Sequence, residues 1–306
     1  MNHLTALDVA LQQLRLPIFG QLYAKLAQEA QGQPLSYEAY LLALAEQELT
    51  YRHRQRQQQY LKLARFPVRK ELADFDFRLV PSLNQARVLT LAEGHYIAQA
   101  EPVLLVGHPG LGKTHLATAL GMAACRQGRR VRFYNAAGLV NDLLAAQEQH
   151  RVPQLIASAL KQQVIILDEL GFIPFSERGS HVMFQFCSAL HERVAVIVTT
   201  NLRFAEWTQV FGNPSLTAAL LDRLTAKAHI LEFVGESYRL RQQQPRMASE
   251  LEPSATHAGG GHHETPTEPG GAAETFAVPL QSTPFCVLRC APIDPLPKTC
   301  KIKLCA

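Results

Sequence analysis

Apolar residues recur at spacings of three and four positions through the first part of the chain. The pattern begins with Leu11 and Leu14 and is clear again at residues 37–44. Such spacing places the apolar side chains on one face of a helix. Ser36 is a candidate N-cap for the helix that contains the second of these runs. We therefore predict a small all-helical domain at residues 1–70.

Between residues 102 and 240 the rhythm changes to short apolar runs that alternate with amphipathic helices. One of these helices is predicted at Thr114–Arg126, with Gly128 in the position that commonly ends a helix. Alternation of this kind is typical of βαβ units with a parallel sheet. We predict the α/β class, with a three-layer α/β/α core at residues 71–244. The predicted strands are Val103–Val106, Val131–Tyr134, Val164–Leu167, Val194–Thr199 and His229–Val234.

After residue 245 the apolar periodicity is lost, and proline is frequent. Such a segment buries too little apolar surface to offset its ordering entropy, so we predict a disordered tail at 245–306. A zinc site is the alternative for this tail, although its cysteine spacings differ from those of a zinc ribbon. The candidate ligands are Cys286, Cys290, Cys300 and Cys305, with His257, His262 and His263 upstream.

Composition narrows the possible classes of protein. The chain has 306 residues, 47% of them hydrophobic, which is enough for one sizeable core and a smaller domain. Its net charge of +4 is too small for a general polyanion binder, so a nucleic-acid prediction depends on local clusters. No apolar run approaches the ~20 residues of a membrane span, and Asp8 and Arg15 interrupt any secretory signal. We expect a cytoplasmic protein with reduced cysteines and no membrane partner.

Residues 107–114 match the phosphate-loop pattern G-x-x-x-x-G-K-[ST]. Its glycines let successive backbone N–H groups face phosphate oxygens. Lys113 is expected to bind the β- and γ-phosphates of ATP, and the Thr114 hydroxyl to ligate Mg²⁺. A strand that leads into the loop and a helix that follows it are the expected context. The predicted nucleotide-binding residues are Gly107, His108, Pro109, Gly110, Leu111, Gly112, Lys113, Thr114 and His115.

Polar residues follow two of the predicted strands. Asp168 and Glu169 come directly after the apolar run Val164–Leu167, at the edge of the sheet where ligands bind in α/β proteins. We predict that Asp168 holds Mg²⁺ and that Glu169 deprotonates the attacking water. Asn201 follows the next strand and is a candidate for positioning that water or sensing the γ-phosphate. Its spacing alone leaves an ordinary turn asparagine as the alternative.

Five sequence blocks are more specific than a phosphate loop. They are Gly-His-Pro-Gly-Leu-Gly-Lys-Thr-His-Leu-Ala (107–117), Ile-Ile-Leu-Asp-Glu-Leu-Gly (165–171), Thr-Thr-Asn-Leu-Arg-Phe-Ala-Glu-Trp (199–207), Leu-Leu-Asp-Arg-Leu (220–224) and Gly-Glu-Ser-Tyr-Arg (235–239). Together they resemble the IstB family of AAA+ ATP-binding proteins, the helpers of insertion-sequence transposition related to DnaC-type helicase loaders. The resemblance covers roughly residues 5–243, whereas family members usually end soon after the last block.

The resemblance implies a role for each matching residue. Lys113 and Thr114 match the Walker A pair, Asp168 and Glu169 the Walker B pair, and Asn201 sensor 1. Arg223 stands where related proteins carry an arginine finger, which would reach the γ-phosphate bound to a neighbouring subunit. The alternative for Arg223 is a helix-surface arginine paired with Asp222. Arg239 is a candidate second nucleotide sensor.

A basic stretch at residues 51–70 contains no acidic residue and has aromatic residues interleaved. Such a stripe can neutralise DNA phosphates without reading bases, although a solvated helix face is the alternative. Arg65 and Arg69 would share a helix face only if the helix continued through Pro67. In IstB-like proteins the N-terminal helical domain helps to engage DNA, which favours the DNA hypothesis. The candidate DNA-binding residues are Arg52, Arg54, Arg56, Arg65, Arg69 and Lys70.

These patterns and the resemblance together predict an ATPase that regulates transposition. ATP would bind between subunits of a homo-oligomer, drive assembly on duplex DNA and present that DNA to a partner transposase. A helicase loader of the DnaC type is the first alternative, because it would share the ATPase core. A DNA-binding module that does not hydrolyse ATP is the second, and intact Lys113, Asp168 and Glu169 argue against it.

Overall fold

The computed structural model describes residues 3–31, 36–235 and 237–238. Short helices and strands alternate after residue 102, as the sequence predicts. The helices are α1 His3–Gln13, α2 Pro17–Gln31, α3 Tyr37–Ala64, α4 Gln85–Ala92, α5 His95–Ala98, α6 Lys113–Arg126, α7 Ala136–Glu148, α8 Val152–Ala159, α9 Glu177–Leu190, α10 Trp207–Phe211 and α11 Pro214–Thr225. The strands are β1 Val103–Gly107, β2 Val131–Asn135, β3 Val164–Asp168, β4 Ala195–Thr200 and β5 His229–Phe233.

The five strands form one parallel sheet in the order β2-β3-β4-β1-β5. Strand β1 is therefore flanked by β4 and β5, and β4 separates it from β3. Because all strands run the same way, their carboxyl ends meet at one edge of the sheet. Asn135 at the end of β2 is the register partner of Asp168 at the end of β3.

Successive residues of each strand face opposite sides of the sheet, and both sides are covered by helices. Leu105 belongs to the apolar core that includes α6, whereas Leu104 belongs to the core that includes α7 and α9. Both leucines are completely buried. Burial of such a side chain contributes about 1.5–3 kcal/mol, so two-sided coverage explains why the inner strands β1, β3 and β4 are apolar along most of their length. The predicted three-layer α/β/α fold is confirmed.

The predicted boundaries of the elements differ from the observed ones by only a residue or so. Helix α6 begins at Lys113 and ends at Arg126, and Gly128 follows with a φ of +78°. Strand β4 begins and ends one residue later than predicted, and β5 ends one residue earlier. Backbone hydrogen bonds define where each element begins and ends, whereas the sequence pattern shows only where its apolar side chains lie.

Helix α3 connects the N-terminal helices to the α/β core. Its N-cap is Ser36, as predicted, because the Ser36 hydroxyl accepts a hydrogen bond from the Ala39 N–H at 3.2 Å. The helix ends at Ala64, since Arg65 adopts the left-handed conformation with a φ of +58°. Arg65 and Arg69 therefore do not share a helix face. Near its end α3 packs against α6 and β2, with Ala64 fully buried.

Several sequence predictions fall outside the described residues. They are the sensor hypothesis for Arg239, the disordered tail at 245–306, and the zinc alternative at Cys286, Cys290, Cys300, Cys305, His257, His262 and His263. The division at residue 70 between a helical and an ATPase domain also remains a prediction. Across the residues that are described, no helix combines the length and the apolar character needed to cross a bilayer.

Candidate active site

The phosphate loop leaves the end of β1 and enters α6. Gly107 has a φ of +151°, and a Cβ placed there would lie 2.3 Å from the carbonyl oxygen of Phe233 on β5. Gly112 has a φ of +87°, and a Cβ there would lie 2.9 Å from the Phe75 ring. Only glycine fits either position. The loop therefore brings the N-terminus of α6, where N–H groups lack helical partners, to the edge of the sheet.

The side chain of Lys113 folds over this loop. Its ammonium group donates hydrogen bonds to the carbonyl oxygens of Gly107 at 2.6 Å and His108 at 2.7 Å. Lys113 is only 6% exposed, and a charge so buried needs polar partners. His108 and Pro109 are exposed, whereas Leu111 is buried and fixes the loop to the core.

Asp168 and Thr114, predicted to share a Mg²⁺ ion, lie together. The Thr114 hydroxyl donates to Asp168 Oδ1 at 2.9 Å, and the Thr199 hydroxyl donates to the same oxygen at 2.6 Å. Burial raises the pKa of the Asp168 carboxyl above its usual value, while the bonds from Thr199 and Thr114 lower it. Oxygen ligands of this kind are those that Mg²⁺ prefers, so the residues present fit the ion.

Glu169 projects from a strained turn at the end of β3. Its φ of +58° is left-handed, a conformation that costs a residue with a side chain about 1–3 kcal/mol. The turn is held because the Glu169 N–H donates to the Thr199 hydroxyl at 2.8 Å and the Leu170 N–H to the Thr199 carbonyl at 2.9 Å. The Glu169 side chain is exposed, and its Oε2 accepts a hydrogen bond from Asn135 Nδ2 at 3.1 Å.

Asn135 and Thr199 are two site residues that the sequence analysis did not identify. Asn135 follows the predicted strand Val131–Tyr134 directly, which is the same signal that identified Asp168. The spacing does not show that β2 pairs with β3, so it gives Asn135 no role beside Asp168. Thr199 is the last residue of a predicted strand, and its buried hydroxyl bridges Asp168 and the Glu169 backbone.

Asn201 lies one residue beyond the end of β4 and is half-buried. The Thr200 hydroxyl accepts a hydrogen bond from the Leu202 N–H at 3.1 Å, which turns the chain at this point. Because β4 runs between β1 and β3, Asn201 lies at the same sheet edge as the phosphate loop and Asp168. This is the placement expected of a residue that contacts the γ-phosphate or the water.

A short segment before α4, which includes Glu71 and Phe75, packs against the start of α6 beside the phosphate loop. The His115 ring packs edge-on against Phe75 at 5.3 Å, and its Nε2 lies 2.9 Å from the Glu71 carbonyl oxygen. At the C-terminal end of the described residues, the Tyr238 N–H donates to the Gly110 carbonyl at 3.1 Å. His115, a predicted nucleotide contact, thus lies beside Phe75, a side chain that the sequence analysis does not single out.

Arg223 lies near the end of α11 and is half-buried. Its guanidinium carbon is 5.0 Å from the centre of the Phe184 ring of α9, and its Nη1 donates to the Ala219 carbonyl at 2.7 Å. Among the ion pairs of the described residues, none joins Arg223 to Asp222. The ion-pair alternative for this arginine is therefore absent from the structure.

The candidate DNA-binding residues are all exposed, but they differ in their contacts. Arg52 contacts buried Glu48 at 2.8 Å and the Arg15 carbonyl at 2.7 Å, so it helps to hold the turn between α1 and α2 against α3. No ion pair or side-chain hydrogen bond is recorded in the described part of the chain for the others. They are Arg54, Arg56, Arg65, Arg69 and Lys70.

The fold and the phosphate loop define a P-loop ATP-binding protein with the AAA+ fold. A model of one family, described as IstB-like ATP binding protein, matches residues 9–246, and the chain belongs to this family. A relative from insertion sequence IS5376 of Geobacillus stearothermophilus, named for ATP binding, is 34% identical over 76% of this chain and 92% of its own length. A similarly named relative from IS21 of Pseudomonas aeruginosa is 34% identical, over 78% of this chain and 90% of its own.

Two solved structures resemble the fold more distantly. The DnaC helicase loader is 20% identical with a TM-score of 0.43, and the match covers 50% of this chain and 90% of the loader. The replication initiator DnaA, bound to AMPPCP and single-stranded DNA, is 18% identical with a TM-score of 0.46 over 60% of this chain and 56% of its own. At this level of similarity, neither structure indicates what this chain binds.

Proposed function

We propose that this protein hydrolyses ATP to ADP and phosphate, and that hydrolysis resets an assembly formed on duplex DNA. One observation carries the catalytic part. Thr114 and Asp168 share a 2.9 Å hydrogen bond beside the phosphate loop, and the exposed carboxylate of Glu169 follows Asp168 directly. A cation ligand pair and an adjacent general base are the parts that phosphoanhydride hydrolysis needs.

The residues of the chain divide the reaction between them. The loop N–H groups and Lys113 bind the β- and γ-phosphates, and Thr114 and Asp168 hold Mg²⁺, which neutralises charge on the phosphate oxygens. Glu169 takes a proton from the water whose oxygen attacks the γ-phosphorus, and Asn201 orients that water. The bond to the β–γ bridging oxygen breaks, and ADP leaves with the bond's electron pair.

Arg223 supports the proposed assembly of subunits. It has no carboxylate partner among the described ion pairs, and Phe184 holds its guanidinium at one place on α11. An arginine so placed would stabilise transition-state charge on the γ-phosphate of a neighbouring subunit. ATP would then bind between adjacent protomers of a homo-oligomer, so that nucleotide binding and assembly depend on each other.

Duplex DNA and a cognate transposase are the proposed partners. The insertion-sequence names of the relatives favour a role in transposition over the alternative of a helicase loader. Exposed arginines on α3 supply charge for the DNA backbone without base readout. Because ATP and chromosomal DNA would be its ligands, we expect the protein in the cytoplasm.

Electron microscopy and turnover measurements together test this function. We expect the wild type to assemble on duplex DNA with ATP but not with ADP. Glu169→Gln should assemble in the same way while turnover falls by about 10²–10⁴-fold, the usual contribution of a general base. Lys113→Ala should neither assemble on DNA nor turn over ATP. Absence of ATP-dependent assemblies on DNA would refute the assembly proposal even if turnover were normal, and a preference for single strands would favour a helicase loader.

A further inference from the structure

Basic side chains from several parts of the fold lie near the contact between the end of α3 and β2. Strand β2 is an edge strand of the sheet, and α3 packs against it near Phe66, whose ring lies 6.2 Å from that of Phe133. The basic residues at this place come from α3, from the turn before β2, from β2 itself and from the turn before β3. We call them the junction surface: Lys62, Arg65, Arg129, Arg130, Arg132 and Lys161.

Direct contacts bring these residues together. Arg132 Nη1 donates to the Leu63 carbonyl at 3.1 Å, which joins β2 to the last turn of α3 beside Lys62. Arg130 Nε donates to the Lys161 carbonyl at 2.6 Å, which joins the turns before β2 and β3. Tyr134 of β2 lies beside Arg132, whose guanidinium carbon is 5.4 Å from the centre of its ring; burial raises the pKa of Tyr134, and the charges of Arg132 and Arg65 act against that rise.

The junction surface carries an excess of positive charge, although the carboxylate of Asp142 also acts on Tyr134. None of its six side chains takes part in an ion pair of the described residues. Lys62, Arg65, Arg130 and Lys161 are exposed, and Arg129 and Arg132 are half-buried. Like charges that share a surface repel each other, and a polyanion relieves that repulsion.

We propose that the junction surface binds the phosphate backbone of duplex DNA, so that DNA follows α3 onto the edge of the ATPase sheet. The proposal rests on the proposed function, because it extends the DNA contact from the helical segment to the ATPase core. Helix α3 has 28 residues and is about 42 Å long, which is somewhat more than one turn of duplex DNA. Exposed Arg54, eight residues before Lys62, lies on the same face of α3 and continues the basic surface along it.

Two of the six residues, Arg130 and Arg132, also have structural contacts that explain their presence without DNA. Arg132 binds a carbonyl at the C-terminus of α3, where a cation is favourable, and charged residues on an edge strand prevent pairing with other chains. Arg129 and Lys161 are different. No side-chain hydrogen bond or ion pair is recorded for either within the described residues, so their removal leaves the recorded contacts of the fold intact.

The test is the salt dependence of duplex DNA binding by the full-length protein, measured by fluorescence anisotropy with ATP present. Each phosphate contact contributes about 0.9 to the slope of log Kobs against log salt. We expect Arg129→Ala/Lys161→Ala to lower that slope by about 1.8, with ATP affinity and thermal midpoint unchanged. The matched control is Arg87→Ala/Arg193→Ala, which removes the same charge from exposed positions on α4 and in the turn before β4, and should keep the wild-type slope.

The outcomes separate this proposal from the proposed function. A slope that is unchanged in Arg129→Ala/Lys161→Ala, or lowered equally in the control, overturns the junction surface. In that case the wild type still binds duplex DNA, and Arg54→Ala/Arg56→Ala tests α3 alone. If the wild type has no measurable duplex affinity, both the junction surface and the DNA part of the proposed function are wrong.

Discussion

The amide of Asn135 at the end of β2 donates a hydrogen bond to Glu169 Oε2, at 3.1 Å. Strand β2 lies on one side of β3, whereas β4 and then β1 lie on the other. Since the phosphate loop follows β1, Asn135 holds the proposed general base toward the side of the sheet away from the nucleotide.

Asn135→Ser should therefore raise the rate of ATP turnover in the absence of DNA. Serine keeps the N-cap of α7, which Asn135 also forms, but its side chain is too short to reach Glu169. We expect an increase of roughly two- to tenfold, the effect on a rate of about 0.5–1.4 kcal/mol from one hydrogen bond. Asn141→Ser on the exposed face of α7 is the control. A lower rate in Asn135→Ser would mean that the contact positions Glu169 for catalysis.

Thr199→Val should weaken both the fold and the catalytic turn. Valine preserves the shape of threonine but removes the hydroxyl that binds Asp168 and accepts from the Glu169 N–H. Because that N–H would lose its partner, we expect the free energy of unfolding, measured in urea, to fall by about 1–3 kcal/mol. Turnover should fall more than ATP affinity, since the left-handed turn at Glu169 loses its anchor. Thr199→Ser, which keeps the hydroxyl, should restore turnover; failure to do so would argue against this role.

The sequence predicts the parts of the site that lie on contiguous stretches of chain. The phosphate loop and the Asp168–Glu169 pair each follow an apolar strand, and parallel strands bring their ends to one edge. Asn135 acts only through the pairing of β2 with β3, which no local pattern records. Arg52 illustrates the same limit, because one of its partners, the Arg15 carbonyl, is 37 residues away along the chain.

The end of α3 marks a second limit of sequence reasoning. The basic stretch at 51–70 reads as one continuous surface, but the helix ends at Ala64 and Arg65 turns into the left-handed region. Pro67 disfavours helix at the residue before it, which predicts an ending near this position without fixing it. The packing of Ala64 and Phe66 on the core then decides where α3 stops.

Asp168→Asn should raise the stability of the protein when Mg²⁺ and nucleotide are removed with EDTA. Burial raises the pKa of Asp168 in the folded state, so above that pKa the ionised carboxylate lowers stability. As pH falls through the raised pKa, the folded wild type takes up the proton and this cost begins to decline. The gain from Asp168→Asn should thus be full above the raised pKa and shrink as pH falls from there toward the ordinary value of 3.8, as measured by thermal unfolding. Asp142→Asn, at an exposed position, should give a difference that does not follow this pattern.

Arg223→Ala should abolish turnover while leaving ATP binding intact, because the arginine would act on the nucleotide of a neighbouring subunit. The expected loss is about 10³-fold, the lower end of what an arginine finger contributes. Mixing two inactive variants tests whether the site is shared between subunits. Arg223→Ala keeps Glu169, and Glu169→Gln keeps Arg223, so a mixture of the two inactive variants should regain activity at interfaces that combine both intact residues.

Phe184→Leu, which removes the ring beneath the guanidinium, should lower kcat with little change in KM. A mixture that stays inactive while both variants still assemble would show that Arg223 acts within its own subunit or only supports α11.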